Sequence, residues 1–107
     1  PLLLRGLAVL GASASLTPSG WPSARMHACD VLVRARAIED QAWVIACNQV
    51  GLQRGVHLGG HSAVIDPIGD VVSRASTEET ILSATVAPDA VEQWRGEFPA
   101  LGDIVPF

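Results

Sequence analysis

Two cysteines, three histidines and eleven carboxylates are the side chains of this chain that could do nucleophilic, metal or acid–base chemistry, and their surroundings decide how much of it they can do. Cys47 lies in the apolar run WVIACNQV with Asn48 after it and His61 in a later turn, so a thiol nucleophile with a histidine base can be drawn. A nucleophilic cysteine needs thiolate character and access, and one flanked by Ile45, Ala46 and Val50 reads instead as a small core residue. Cys29, followed by Asp30, falls in the middle of a helical pattern and reads as packing. A zinc site from His27, His57, His61 and the cysteines would need regular short ligand spacing; there is no C-x-x-C pair, and no metal site is expected. The glycines of residues 51–60 lack the G-x-G-x-x-G pattern or a lysine-ended loop, so they read as turn residues rather than a phosphate cradle. Glu39, ahead of the apolar run, is the most suggestive carboxylate, with an ion pair to Arg36 as its plainer role. The chain contains no Lys, which excludes any mechanism in which one of its own lysines takes part.

These residues must be positioned by elements that the apolar pattern outlines. Leu3, Leu7 and Leu10 have helical spacing, and Gly11 sits where a helix would end. Alternation of Ala12, Ala14 and Leu16 with Ser13, Ser15 and Thr17 suggests a short strand of small residues, closed by the turn TPSGWP. Ser23 is a candidate N-cap for a helix to Gln41, whose apolar positions Ala28, Leu32, Ala35, Ile38 and Ala42 predict one buried face. On its other side, Asp30 with Arg34 and Arg36 with Asp40 are spaced as exposed ion pairs of about 0.2–0.5 kcal/mol each. Residues 43–50 form a nearly continuous apolar run, the pattern of a strand covered on both faces. A glycine-bearing loop (51–60) leads to a strand at HSAVID, a turn at PIGD, and a meander completed by VVSRAS and ETILSATV. Pro88 and the stripe Val91, Trp94, Phe98 predict a last helix, followed by the tail PALGDIVPF.

The sum is a layered α/β architecture. At 107 residues the chain has room for one core, and with 49% hydrophobic and 17% charged residues it is too apolar for disorder. A net charge of −4 with arginines spread singly offers no footprint for nucleic acid. Apolar runs fall short of the roughly 20 residues a spanning helix needs, so no membrane partner is expected. Two cysteines without a disulfide-scaffold spacing point to a reducing cytoplasm. The chain opens at Pro1 directly into a helical apolar segment, as a piece of a longer domain would.

The motifs GAS, TPSGWPSAR, RARAIEDQAWVIACNQVG, GGHSAVIDPIGDVV, EETILSATV and VEQWRGEFPAL, in that order, resemble the C-terminal half of nitrilase-superfamily carbon–nitrogen hydrolases over nearly the whole chain. The branch most similar is that of ω-amidases and other aliphatic amidases. The resemblance implies part of a four-layer α-β-β-α sandwich, so that residues 1–107 are a single, partial carbon–nitrogen hydrolase domain whose partners are its own N-terminal half and a second subunit. It implies hydrolysis of a small non-peptide amide by a Glu, Lys, Cys triad, with no metal or organic cofactor. In the family the nucleophile lies a few residues before a Pro-Glu-x-x-Arg segment leading to Gly-Ala, a segment that Pro1, Arg5, Gly11 and Ala12 match. The nucleophile, glutamate and lysine would then all precede residue 1, and no catalytic residue is expected here; Cys29 falls where the family often has Trp. What carries over is a substrate-pocket wall at Thr17, Pro18, Gly20 and Trp21, and scaffold near the site at Glu39, Asn48, Gly51, Gly60 and Ser62. Against the family pattern, Asp40 stands where Asn is usual, and Cys29 and Asp30 depart from it as well. The rival expectation is a truncated or split subunit, or a pseudoenzyme, that acts by pairing with another chain.

Overall fold

The run WVIACN folds into the strand at the centre of the computed structural model, which describes residues 2–103. In chain order the elements are helix α1 (Leu2–Val9), strand β1 (Ala14–Ser19), helix α2 (Met26–Asp40), strands β2 (Trp43–Asn48), β3 (Val50–Gln53), β4 (Val56–Gly59), β5 (Ala63–Ile65) and β6 (Val71–Arg74), and helix α3 (Pro88–Glu97). One sheet has the order β1-β2-β5-β6, with β1 parallel to β2 and the other pairs antiparallel; β3 and β4 form a separate hairpin. Parallel neighbours need a crossover, and α2 supplies it. No helix of the described residues is long and apolar enough to cross a membrane.

The register pairs Ala14, Leu16 and Pro18 with Trp43, Ile45 and Cys47, and these residues share one face of the sheet. On the opposite face Val44 and Ala46 join Ala37 of α2 with Ala63 and Ile65 in a closed core. The first face is covered only in part: Trp43 and Val64 pack on Val91 of α3, with Ile45, Leu82 and Val86 around them. Beyond that cover Cys47 is exposed and Leu16 is 74% exposed. The expected two-sided burial of the central strand therefore holds at Trp43 and Val44 and fails at Cys47.

Helix α2 presents a different face from the one its apolar spacing suggested. Met26, Cys29, Ala37 and Asp40 are buried, whereas Ala28, Leu32 and Ile38 are exposed. Two stripes overlap on this helix, and the one with small Cys29 and Ala37 lets the backbone approach the sheet more closely than Leu32 and Ile38 would. The charges follow from that rotation. Asp30 faces the sheet, Arg34 Nε donates to Gly69 O at 2.8 Å, and Asp40 pairs with Arg5 Nε of α1 at 2.7 Å. They are tethers, not the solvated i, i+4 pairs anticipated. Ser23 does not cap the helix. It begins a 3-10 turn (Ser23–Arg25), and the cap position at Arg25 has no side-chain hydrogen bond.

At its other end α2 stops with Gln41 in the left-handed region (φ 49°) and Ala42 N–H bonded to Ala37 O, a Schellman-type ending. Arg95 of α3 closes this end, donating to the carbonyls of Ala12 (2.7 Å), Asp40 (3.2 Å) and Gln41 (3.3 Å). On α3 itself Val91 is buried and Phe98 stacks on Trp94 with centroids 5.7 Å apart. The leucines of α1 are not a buried stripe. Leu2, Leu3, Leu7 and Leu10 are exposed, and Ala8 makes the buried contact.

Residues 51–60 are not a plain loop. They include most of the β3–β4 hairpin, turned by Arg54 and Gly55 with φ of 53° and 80°, the two positive values of a type I′ turn. ETILSATV carries no strand; Leu82 and Val86 still pack inward, so its alternation is real but finds no ladder partner among the described residues. The tail begins with a 3-10 turn (Ala100–Asp103), and its last four residues lie outside the described part.

Candidate functional site

The carboxyl ends of β1 and β2 leave the sheet together, the place where α/β folds form their crevices. Asn48, the last residue of β2, is 9% exposed and organises this end through its carboxamide. Oδ1 accepts from Trp21 N–H at 2.7 Å and from Ser19 Oγ at 3.4 Å. Nδ2 donates to Gly60 O at 2.8 Å and Trp21 O at 3.3 Å, with Met26 Sδ at 3.4 Å. On the backbone side, Asn48 N–H donates to Ser62 Oγ at 2.9 Å, and that hydroxyl reaches Asn48 O at 3.3 Å. Three separate segments, 19–21, 59–62 and the start of α2, thus meet on one amide.

Glycine is required at two points around it. Gly60 has φ 65°, and a β-carbon there would lie 2.6 Å from Ser76 O, so neither the backbone conformation nor the space admits a side chain. Gly51, with φ 95°, has open space around it and is needed for conformation alone.

Two open depressions flank the end of β2. One, of about 490 Å³, is lined by Pro18, Ser19, Gly20, Cys47, Asn48 and Gln49. The other, of about 420 Å³, shares Cys47, Asn48 and Gln49 and is continued by Gly60, Ser62 and the carboxylates Glu78 and Glu79. Thr17 and Trp21 point elsewhere, into a cavity of about 140 Å³ against Cys29, Leu32 and Val33 of α2. The four wall residues are therefore divided: Pro18 and Gly20 face the open side with Cys47, Thr17 and Trp21 the helix side.

No hydrogen bond links Cys47 to His61 among the described residues. His61 Nδ1 lies 3.4 Å from Asp30 Oδ2, and Asp30 Oδ1 lies 3.7 Å from Arg74 Nη2. The thiol–imidazole pair that the sequence allowed is not assembled, and the reason is that rotation of α2 brings Asp30 to the imidazole. Cys47 is also no core residue, because α3 and residues 82–86 end short of it. Cys29 is buried, and burial first, then the Asp30 carboxylate, push its thiol up, with Arg74 opposing. It holds its proton at neutral pH and is not a nucleophile. Glu39 sits on the last turn of α2, at the opposite end of β2 from Asn48, paired with Arg36 and 3.9 Å from Arg5. His57 and His61 are four apart in the chain but do not converge, since His57 is exposed on β4; no group of three potential metal ligands occurs among the described residues. Ser19, Met26 and Gln49 belong to the Asn48 cluster without having been marked by the sequence. Only their closeness to residues 17–21 and 48 could have suggested them.

The chain is an α/β protein whose parallel strands β1 and β2 open at their carboxyl ends beside an amide-braced turn. The model of the carbon-nitrogen hydrolase family matches residues 1–96, and the chain is a member of that family. It is 40% identical over 103 residues to a 2-oxoglutaramate amidase of Paenarthrobacter nicotinovorans, covering 96% of this chain and 35% of that protein. It is 42% identical over 106 residues to a hydrolase in the agr operon of Staphylococcus lugdunensis, covering 99% and 45%. The chain thus spans less than half the length of these curated relatives. Among solved structures it is similar to Nit3 of Saccharomyces cerevisiae, a member of branch 10 of the nitrilase superfamily, with a TM-score of 0.85, 34% identity, and coverage of 92% of this chain and 37% of that one. A CN-hydrolase superfamily protein of Xanthomonas campestris, with an arsenic adduct in its active site, gives 0.85 and 38%, with 89% and 36% covered. The α/β nitrilase fold expected from the motifs is the fold present.

Proposed function

We propose that this chain is the C-terminal portion of an amidase-type carbon–nitrogen hydrolase acting on a small ω-amide of a dicarboxylate. The observation that carries the reading is the opening at Cys47, where two depressions meet on a rigid floor at the carboxyl ends of two parallel strands. In this reading Pro18 and Gly20 form the pocket wall with Thr17 and Trp21 behind it, and Asn48, Gly51, Gly60 and Ser62 form its floor. Glu39 is scaffold at the far end of the helix. The glutamate, lysine and cysteine that perform the chemistry come from sequence preceding residue 1. The cysteine thiolate attacks the amide carbon, the glutamate passes the thiol proton to the departing ammonia, the lysine stabilises the oxyanion, and water then releases the acid from the thioester. The protein works in the cytoplasm and without a cofactor. The relatives' names support the substrate class, and the absence of Lys supports placing the chemistry outside this chain.

The test compares two proteins in an ammonia-release assay with 2-oxoglutaramate: this chain alone, and this chain joined to the in-frame coding sequence before it. Activity only in the longer protein is expected. Turnover by the 107-residue chain alone, or a longer protein inert towards every ω-amide offered, overturns the reading.

A further inference from the structure

We propose that Asn48 is a positioning residue for substrate binding, its carboxamide standing in for a missing stretch of strand and thereby setting the width of the depression beside Cys47. The inference rests on the reading of that depression as the substrate pocket. Strand β1 ends at Ser19, and beyond it the backbone of Trp21 has no partner in β2 to continue the ladder. Asn48 supplies one: its Oδ1 takes the Trp21 N–H at 2.7 Å while its Nδ2 gives to the Trp21 carbonyl at 3.3 Å. An acceptor and a donor facing one residue's N–H and C=O are what a neighbouring strand would offer.

The remaining Nδ2 hydrogen goes to Gly60 O at 2.8 Å, so the same planar group ties the wall segment to the floor turn. Gly59 N–H also reaches Trp21 O at 2.9 Å, which makes that carbonyl a shared joint between wall and hairpin. Pro18, Ser19 and Gly20 line the depression immediately ahead of this joint, and a β-carbon built on Gly20 would meet only the Gln49 side chain, at 3.7 Å. Pro18 and Ser19 are held opposite Cys47 and Asn48 by the β1–β2 ladder, and past its end the course of Gly20 and Trp21, which closes that side of the depression, is set by the Asn48 carboxamide together with the Gly59 N–H. Asn is the residue for this task. Asp in its place would still accept from Trp21 N–H but would turn a carboxylate oxygen on the carbonyls of Trp21 and Gly60, and Ala would leave the Trp21 N–H and the Gly60 carbonyl without their Asn48 partner.

The experiment uses the longer protein and the variants Asn48→Asp and Asn48→Ala. Steady-state kinetics on an ω-amide should show KM raised on the order of tenfold with kcat within about twofold, since the wall is misplaced while the reacting groups, borne elsewhere, are not. Amide exchange at Trp21 should accelerate by at least about tenfold in both variants while exchange along β2 is unchanged. An equal fall of kcat and kcat/KM, or an unchanged KM alongside faster Trp21 exchange, overturns the proposal. The wild-type protein supplies a check that needs no folded variant and no activity. Its Trp21 N–H should exchange as slowly as the amides of β2, and exchange at the rate of a free loop overturns the proposed bracing of Trp21 by Asn48 whatever the substrate proves to be.

Discussion

Cys29 of α2 and Cys47 of β2 are both free thiols, and they should behave in opposite ways. With the chain folded at neutral pH, iodoacetamide followed by peptide mass mapping should modify Cys47 and spare Cys29, because the first is open to solvent and the second is buried and held protonated. The same shift makes a pH statement. Folding retains the Cys29 proton above the ordinary value of 9.0, where the unfolded chain releases it, so the stability present below 9.0 is lost as pH rises through the raised folded value. Cys29→Ala should flatten that alkaline loss in urea titrations. At this scale the sequence was only partly legible. That Gly51 and Gly60 are turn glycines at the end of an apolar strand could be read from the chain, but that Asn48 bonds to Trp21 could not, since no local pattern encodes a partner 27 residues away.

Among elements, the strands that carry apolar runs were legible because burial on both sides of a sheet leaves few alternatives. The orientation of α2 was not: its Leu32–Ile38 stripe and its Cys29–Ala37 stripe both have helical spacing, and only the sheet's demand for close approach separates them. The β3–β4 hairpin escaped notice for a related reason, since Arg54–Gly55 adopts the turn that Asn-Gly usually announces. The docking of α1 on α2 is a consequence of composition that can be tested. Asp40, whose side chain is 5% exposed, meets Arg5, which is 29% exposed. Asp40→Ala in the longer protein should lower stability by about 1–2 kcal/mol, less than for a fully buried pair because Arg5 stays partly hydrated. Asp40→Asn should cost less, since it keeps an acceptor for Arg5. Denaturant midpoints of the two variants and of Arg5→Ala check this, and equal losses for Asn and Ala would show that charge, not hydrogen bonding, holds the helix.

For the molecule as a whole, the apolar surface is unevenly spent. Leu16 on the sheet, four leucines at α1 and its C-terminal end, and Val31, Leu32 and Ile38 on α2 are all exposed. A surface of this kind on a chain that spans less than half of its relatives' length should self-associate when expressed alone. Light scattering should therefore find oligomers or aggregates of the 107-residue chain; a monodisperse monomer with a cooperative melt would show that these side chains need no cover. Arg95 gives the whole a further property. By gathering carbonyls of residues 12, 40 and 41 it fastens the last helix to the turn before β1 and to the end of α2, in addition to the packing of Val91 on Trp43 and Val64. The exposed residues 77–80 take no part in this clasp, although Glu78 and Glu79 line the depression beside Asn48. A backbone opened there should leave two pieces clasped by these hydrogen bonds and by Val91 packed on Trp43 and Val64, so a division or a spliced guest segment at this point would spare the core and fall on the Glu78–Glu79 side of the depression.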